Sequence, residues 1–193
     1  MTAPAAGPPP HIVARALIVA ARRPPGRCVK SLRGAVVFDP VTGMVHGWGL
    51  NAPPAPFECT GTARCREVCR RICEHAEARA IAMTEQCSMR RTEQPLQLLH
   101  VKLGPDGLVT PSGPPSCAEC SKRILAVGFI AGVWLYEEQA LRDAGSVEQW
   151  FYYTAVDFHR RSLLAEHLYE EPIGPAGARG TVGWCGGGPE AER

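Results

Sequence analysis

Long apolar runs are missing from this chain. Nowhere do the roughly 18 consecutive apolar residues needed to cross a bilayer occur. Ile12 to Ala21 is apolar but short, and Arg15 interrupts it. No unbroken apolar run with a cleavage site follows a basic start, so no secretory signal is expected. The expected location is the cytoplasm, with no membrane partner. An excess of one charge is missing as well. Formal net charge is +2 over 193 residues, so composition announces no polyelectrolyte partner, while a free nucleotide or a nucleic acid stays open. There is no internal repeat. The nine cysteines are odd in number, which in a reducing compartment argues against a disulfide framework.

What is present fits one globular unit. Hydrophobic residues make up 45% and charged residues 21%, an ordinary balance for a chain able to bury a core. Residues 1–11 are rich in Pro, Ala and Gly and are expected to be disordered. Residues 12–168 read as one domain, and residues 169–193 as a flexible Gly/Pro-rich tail. Within the domain, Ile12 to Arg22 has good helix formers and stops at Pro24-Pro25. Gly34 to Phe38 and Met44 to Leu50 are β-rich and flank the turn Asp39-Pro-Val-Thr-Gly43, which predicts a hairpin. Thr62 to Met83 has helical character. Leu96 to Leu103 reads as a strand before the turn Gly104-Pro-Asp-Gly107. Ala118 to Val127 reads as a helix stopped by Gly128, and Ile130 to Tyr136 as a buried strand. Glu137 to Ala144 reads as a short helix, and Val147 to Leu168 as a last helix. This alternation predicts an α/β fold, a mixed sheet with helices on its faces.

Two short motifs carry chemistry. His75-Ala76-Glu77 opens one predicted helix, and Pro115-Ser116-Cys117-Ala118-Glu119-Cys120 opens another. One imidazole and two thiolates make three zinc ligands, which leaves a fourth position for water, the mark of a catalytic rather than a structural zinc. Two cysteines three apart in the first turn of a helix can reach one ion, and the positive end of that helix favours their thiolate forms. Glu77, two residues beyond His75, points differently and is free to act on the activated water. Zinc lowers the pKa of that water toward roughly 7. Glu77 is then placed to take a proton from that water.

With these motifs in hand, the chain resembles the zinc-dependent cytidine and deoxycytidylate deaminase superfamily over about residues 12–145. That superfamily carries H-x-E followed by P-C-x-x-C. The chain departs from the pattern at Ser116, which stands between the proline and the first cysteine. The resemblance implies a three-layer α/β/α cytidine deaminase-like fold with a mixed sheet of about five strands. It also implies zinc as cofactor, with His75, Cys117 and Cys120 as ligands and Glu77 as the catalytic proton shuttle. Gly47-Trp48-Gly49-Leu50-Asn51-Ala52-Pro53 looks like the Gly-x-Asn-x-Pro segment of deoxycytidylate and tRNA adenosine deaminases. By that likeness Asn51 contacts the substrate. Ala76 and Ser116, beside the ligands, and Tyr136, at the end of its strand, complete the candidate substrate contacts.

The expected activity is conversion of cytosine to uracil in a nucleotide. A single-stranded DNA or RNA substrate is the alternative, favoured by Tyr136 and by the aromatic and basic segments Trp150 to Tyr153 and Phe158 to Arg161. A reading from another class is a catalytically inactive, zinc-stabilised binding module. A redox or metal-storage protein built on the cysteines is a further one. Cys59, Cys65, Cys69 and Cys73 form a candidate second metal site, although three ligands on one helix make awkward geometry and plain reduced thiols explain them equally well. Self-association into a homo-oligomer is expected from the resemblance alone.

Overall fold

The computed structural model describes residues 7–22, 28, 31–63, 73–87, 94–112, 116–136 and 150–168. The first helix, α1, spans Pro10–Ala21. It starts two residues before the expected position, with Pro10 in the first turn, where a missing N–H costs nothing. Strands β1 (Leu32–Phe38) and β2 (Val45–Leu50) form the expected antiparallel hairpin, with Gly34 opposite Leu50 and Val36 opposite Trp48. Asp39 closes its turn by accepting from the amides of Val41 and Thr42 at 2.7 and 3.2 Å. Helix α2 spans Ala76–Cys87, and β3 spans Leu96–Leu103. Val109–Thr110 folds back on β3 as the short strand β4. Helix α3 (Ala118–Ala126) then leads into β5 (Ile130–Tyr136).

One expectation fails after β5. Val147 to Leu168 is expected to be helical, but within its described part Trp150–Thr154 is strand β6 and Ala155–Ala165 is helix α4. The run Trp-Phe-Tyr-Tyr-Thr is aromatic and β-branched, the composition that suits a pleated surface. It pairs antiparallel with β5 from Gly132–Thr154 to Tyr136–Trp150. Thr154 ends the strand and caps α4, its hydroxyl accepting from the Asp157 amide at 3.1 Å. The short helix expected over 137–144 lies outside the described residues.

The strand order is β2-β1-β3-β5-β6, with β4 beside β3. Only β3 and β5 run parallel, and α3 lies in the connection between them. Among the described residues the sheet is therefore mixed and has six strands, in line with the expectation of about five.

Alternation along the strands sends side chains to two cores. On one face Val36, Phe38, Leu99, Val101 and Trp134 pack with Ile12, Ala16 and Val19 of α1. On the other face Ala35, Val37, Leu98, Val133 and Leu135 meet Ala80 and Ile81 of α2, Ile124 of α3 and Phe158 of α4. The result is a three-layer α/β/α arrangement, consistent with a cytidine deaminase-like fold. Each fully buried aliphatic or Phe side chain in these cores contributes about 1.5–3 kcal/mol of transfer free energy.

Candidate metal centre

Helix α2 brings His75 and Glu77 into place because two glycines let it lie directly on β2. A Cβ on Gly47 would meet the Thr84 side chain and the Ala80 carbonyl. One on Gly49 would meet the Ala76 carbonyl and, at 2.6 Å, the Ala80 amide nitrogen. His75 precedes the helix, and its carbonyl accepts from the Arg79 amide at 3.1 Å. The amide of Ala76, one of the helix's first N–H groups, donates to the Asn51 side-chain oxygen at 2.8 Å. Asn51 is 8% exposed. It caps α2 from a separate segment, a role that its position at the end of β2 gave no hint of.

Cys117 is the cap residue of α3, and Cys120 lies in the first turn. Both sulfurs thus sit at the positive end of that helix. Each Sγ lies 3.3 Å from His75 Nδ1. The three donor atoms all fall within 4.8 Å of one another. Ligands at zinc distances of about 2.0–2.3 Å on a tetrahedral ion would stand roughly 3.5–3.8 Å apart, so the spacing is near what one ion requires. Borderline-soft nitrogen and sulfur donors suit zinc. Among the described residues no fourth His, Cys, Asp or Glu joins the group.

Electrostatics around the cluster are strongly coupled. Cys120 and, with it, His75 hydrogen-bond the Cys117 sulfur and hold its thiol down to about 4, against the opposing effect of burial. The same pairing with Cys117, followed by burial, raises the Cys120 thiol. His75 is raised, first by its bond to Cys117.

Glu77 is 3% exposed. Burial would raise its carboxyl, but His100, its own backbone amide, His75 and Arg33 outweigh that effect and hold it below the usual range. The Ser116 hydroxyl donates to Glu77 Oε1 at 3.0 Å. The residue that departs from the superfamily pattern therefore touches the carboxylate.

Other expected residues are distributed differently. Tyr136 shares the α1 face of the sheet with Trp134, and its ring meets Trp150 edge-on with centroids 5.4 Å apart. The structure does not bring it to the His75 cluster. Trp150 and Tyr152 pack on that same face. Tyr153 joins the opposite core, where Arg161 lies over its ring at 4.7 Å. Cys65 and Cys69 lie outside the described residues. Cys59 is half-buried, and Cys73 lines a cavity of about 450 Å³ whose wall includes Glu74, His75, Cys117, Cys120 and Arg123. That cavity reaches the cluster from the side of α2 and α3, and Glu77 is not in its wall.

Sequence reasoning missed Arg33 and His100. His100 is wholly buried on β3, with Nε2 3.8 Å from Glu77 Oε1. The signal was available: a lone histidine in Leu-Gln-Leu-Leu-His-Val-Lys-Leu, at an inward position of an apolar strand.

No protein-family model matches the chain, and neither does any curated protein sequence. Among solved structures the chain is similar to the dCMP deaminase of the cyanophage S-TIM5 in its apo form. Identity is 19%, the match covers 65% of this chain and 82% of that one, and the TM-score is 0.43. The His75, Cys117 and Cys120 donor atoms are geometrically compatible with a metal site. No described helix is long and apolar enough to cross a membrane.

Proposed function

We propose that the protein is a zinc-dependent hydrolytic deaminase that converts cytosine to uracil in a nucleotide. One observation carries the reading: His75 Nδ1 and the sulfurs of Cys117 and Cys120 converge within 4.8 Å, with a buried carboxylate two residues from the histidine. His75, Cys117 and Cys120 would hold the ion and leave one tetrahedral position for solvent. Zinc, when bound, supplies the Lewis acidity that makes water nucleophilic near neutral pH. Glu77 takes a proton from that water and delivers it to the ring nitrogen of the base. It later carries a proton to the departing amine, so that water and an amidine become a carbonyl and ammonia. Ser116, donating to Oε1, fixes the plane of the carboxylate and leaves Oε2 to carry the proton.

The small substrate is preferred over a polynucleotide because Tyr136 packs against Trp150 on the α1 face. Charge points the same way, since a net +2 offers little general attraction to a phosphate chain.

The test is a panel of cytidine, deoxycytidine, their monophosphates, adenosine, guanine, and single-stranded DNA and RNA, with ammonia release and base conversion followed. We expect conversion of a cytosine monophosphate. Glu77→Ala should cut turnover by at least about 10²–10⁴-fold with zinc per chain unchanged. Conversion of oligonucleotides but not monophosphates would replace the nucleotide reading. Ammonia from none of them, with Glu77→Ala indistinguishable from wild type, would leave the inactive zinc-stabilised module.

A further inference from the structure

The cavity beside the metal cluster has no part in the chemistry above. It holds about 450 Å³ on the side of α2 and α3, with His75, Cys117 and Cys120 in its wall. Glu77 and Ser116, which hydrogen-bond each other on the proposed reaction side, are not in that wall. The cavity therefore reaches the ligand residues by a second approach.

A further soft donor, the Cys73 thiol, stands in the same wall. The backbone explains its place. Glu74 forms an antiparallel bridge with Ala52: its amide donates to the Ala52 carbonyl at 3.0 Å, and its carbonyl accepts from the Ala52 amide at 3.3 Å. Side chains two apart on such extended backbone leave on the same side, which turns Cys73 to the side of His75. Cys73 is buried there, 8% exposed. Its sulfur is not among the three donors that lie within 4.8 Å of one another, so it stands beside the proposed ligand set and outside it.

The charged groups of the wall are occupied with ion pairs at the surface. Glu74 meets Arg79 at 2.9 Å, Lys122 meets Glu119 at 2.9 Å, and Arg123 meets Glu85 at 3.0 Å. Zinc prefers thiolate to such oxygen donors, and a hydrated ion must exchange its waters for protein ligands before it reaches the cluster. We propose that this cavity is the route by which zinc enters and leaves, and that Cys73 is a transfer ligand on it. The Cys73 thiol releases its proton to solvent when its sulfur takes the ion. It regains a proton when Cys117, Cys120 and His75 displace it, and no electrons change hands. The inference rests on the reading of those three residues as zinc ligands.

Entry and release share one path, so the test follows exchange of bound zinc for isotopically labelled free zinc in the zinc-loaded full chain. Cys73→Ser keeps the size of the side chain and weakens the donor. We expect exchange to slow at least about tenfold, a barrier change of about 1.4 kcal/mol, with zinc affinity altered by less than about threefold. Wild-type exchange in this variant would overturn the proposal. So would weaker affinity with faster release, which would make Cys73 a support of the resting site. Ala126→Phe narrows the cavity from an exposed position in its wall. It should also slow exchange at unchanged affinity, and wild-type exchange there would overturn the route whether or not Cys73→Ser folds.

Cobalt in place of zinc gives a second readout. Thiolate-to-cobalt absorption should be equal in wild type and Cys73→Ser, because the resting ion is held by Cys117 and Cys120. A weaker band in the variant would make Cys73 a ligand of the resting ion and overturn the proposal. Neither measurement uses substrate. Slowed exchange in a chain that converts no member of the panel would overturn the deaminase reading and leave the zinc route standing, and wild-type exchange in Cys73→Ser of an active enzyme would do the reverse.

Discussion

Asn51 caps α2 from outside the helix, and a change there should be felt first in stability. Its side-chain oxygen accepts from the Ala76 amide at 2.8 Å, in a buried position where no solvent replaces a lost partner. Asn51→Ala should lower unfolding free energy by about 0.5–2 kcal/mol, read from urea midpoints, and Asn51→Asp should lose less because the acceptor remains. An unchanged midpoint in Asn51→Ala would show that the cap contributes nothing. At this scale the sequence was informative where chemistry restricts residue type. Thiolate and imidazole donors are few, so His75, Cys117 and Cys120 stood out, and the structure brings their donor atoms together. It was uninformative about neighbours: no spacing shows that Asn51 caps α2, that Tyr136 packs against Trp150, or that Arg33 and His100 lie beside one another.

At the scale of elements, the contact between α2 and β2 decides where the metal cluster forms. Gly49 has no room for a side chain, because a Cβ would run into the Ala76 carbonyl and the Ala80 amide nitrogen. Neither of those atoms can move without moving α2. Gly49→Ala should therefore destabilise the protein by about 1–3 kcal/mol and weaken zinc retention, since the helix carries His75 at its start. Denaturant titration together with zinc analysis reads both effects; a variant with wild-type values for both would show that α2 is not seated by that contact. Elements with a strong local signal were legible: the β1–β2 hairpin from its Asp-Pro-Val-Thr-Gly turn, and α3 from the cysteine pair and Gly128. Strand β6 was not. Its aromatic run adjoins a true helix, α4, and only pairing with β5 decides that Trp150–Thr154 is extended.

At the scale of the molecule, the proposed ion would join parts that the chain keeps far apart. His75 leads α2, and Cys117 and Cys120 lead α3, more than 40 residues later. An ion held by both helices binds the native state and not the unfolded chain, so its removal should lower stability by mass action. Treatment with a strong chelator is expected to lower the thermal midpoint by roughly 5 °C or more for a chain of this size, with recovery on adding zinc. A midpoint indifferent to chelation, with zinc fully removed, would argue that the cluster holds no structural tension between α2 and α3.

The sequence by itself determined the α/β class, the hairpin, the two motif-bearing segments and the donor set, because each depends on local periodicity, turn chemistry or scarce residue types. Tertiary structure alone decided which side chains share the site. Strand register put His100 on the same face as Ala35 and Leu135, the antiparallel β1–β3 pairing brought Arg33 beside it, and Ser112 reaches it from the segment after β4. Alternation along β5 turned Tyr136 to the opposite face. Such choices depend on which strands become neighbours, and distances across a sheet are not written in the spacing of residues along one chain.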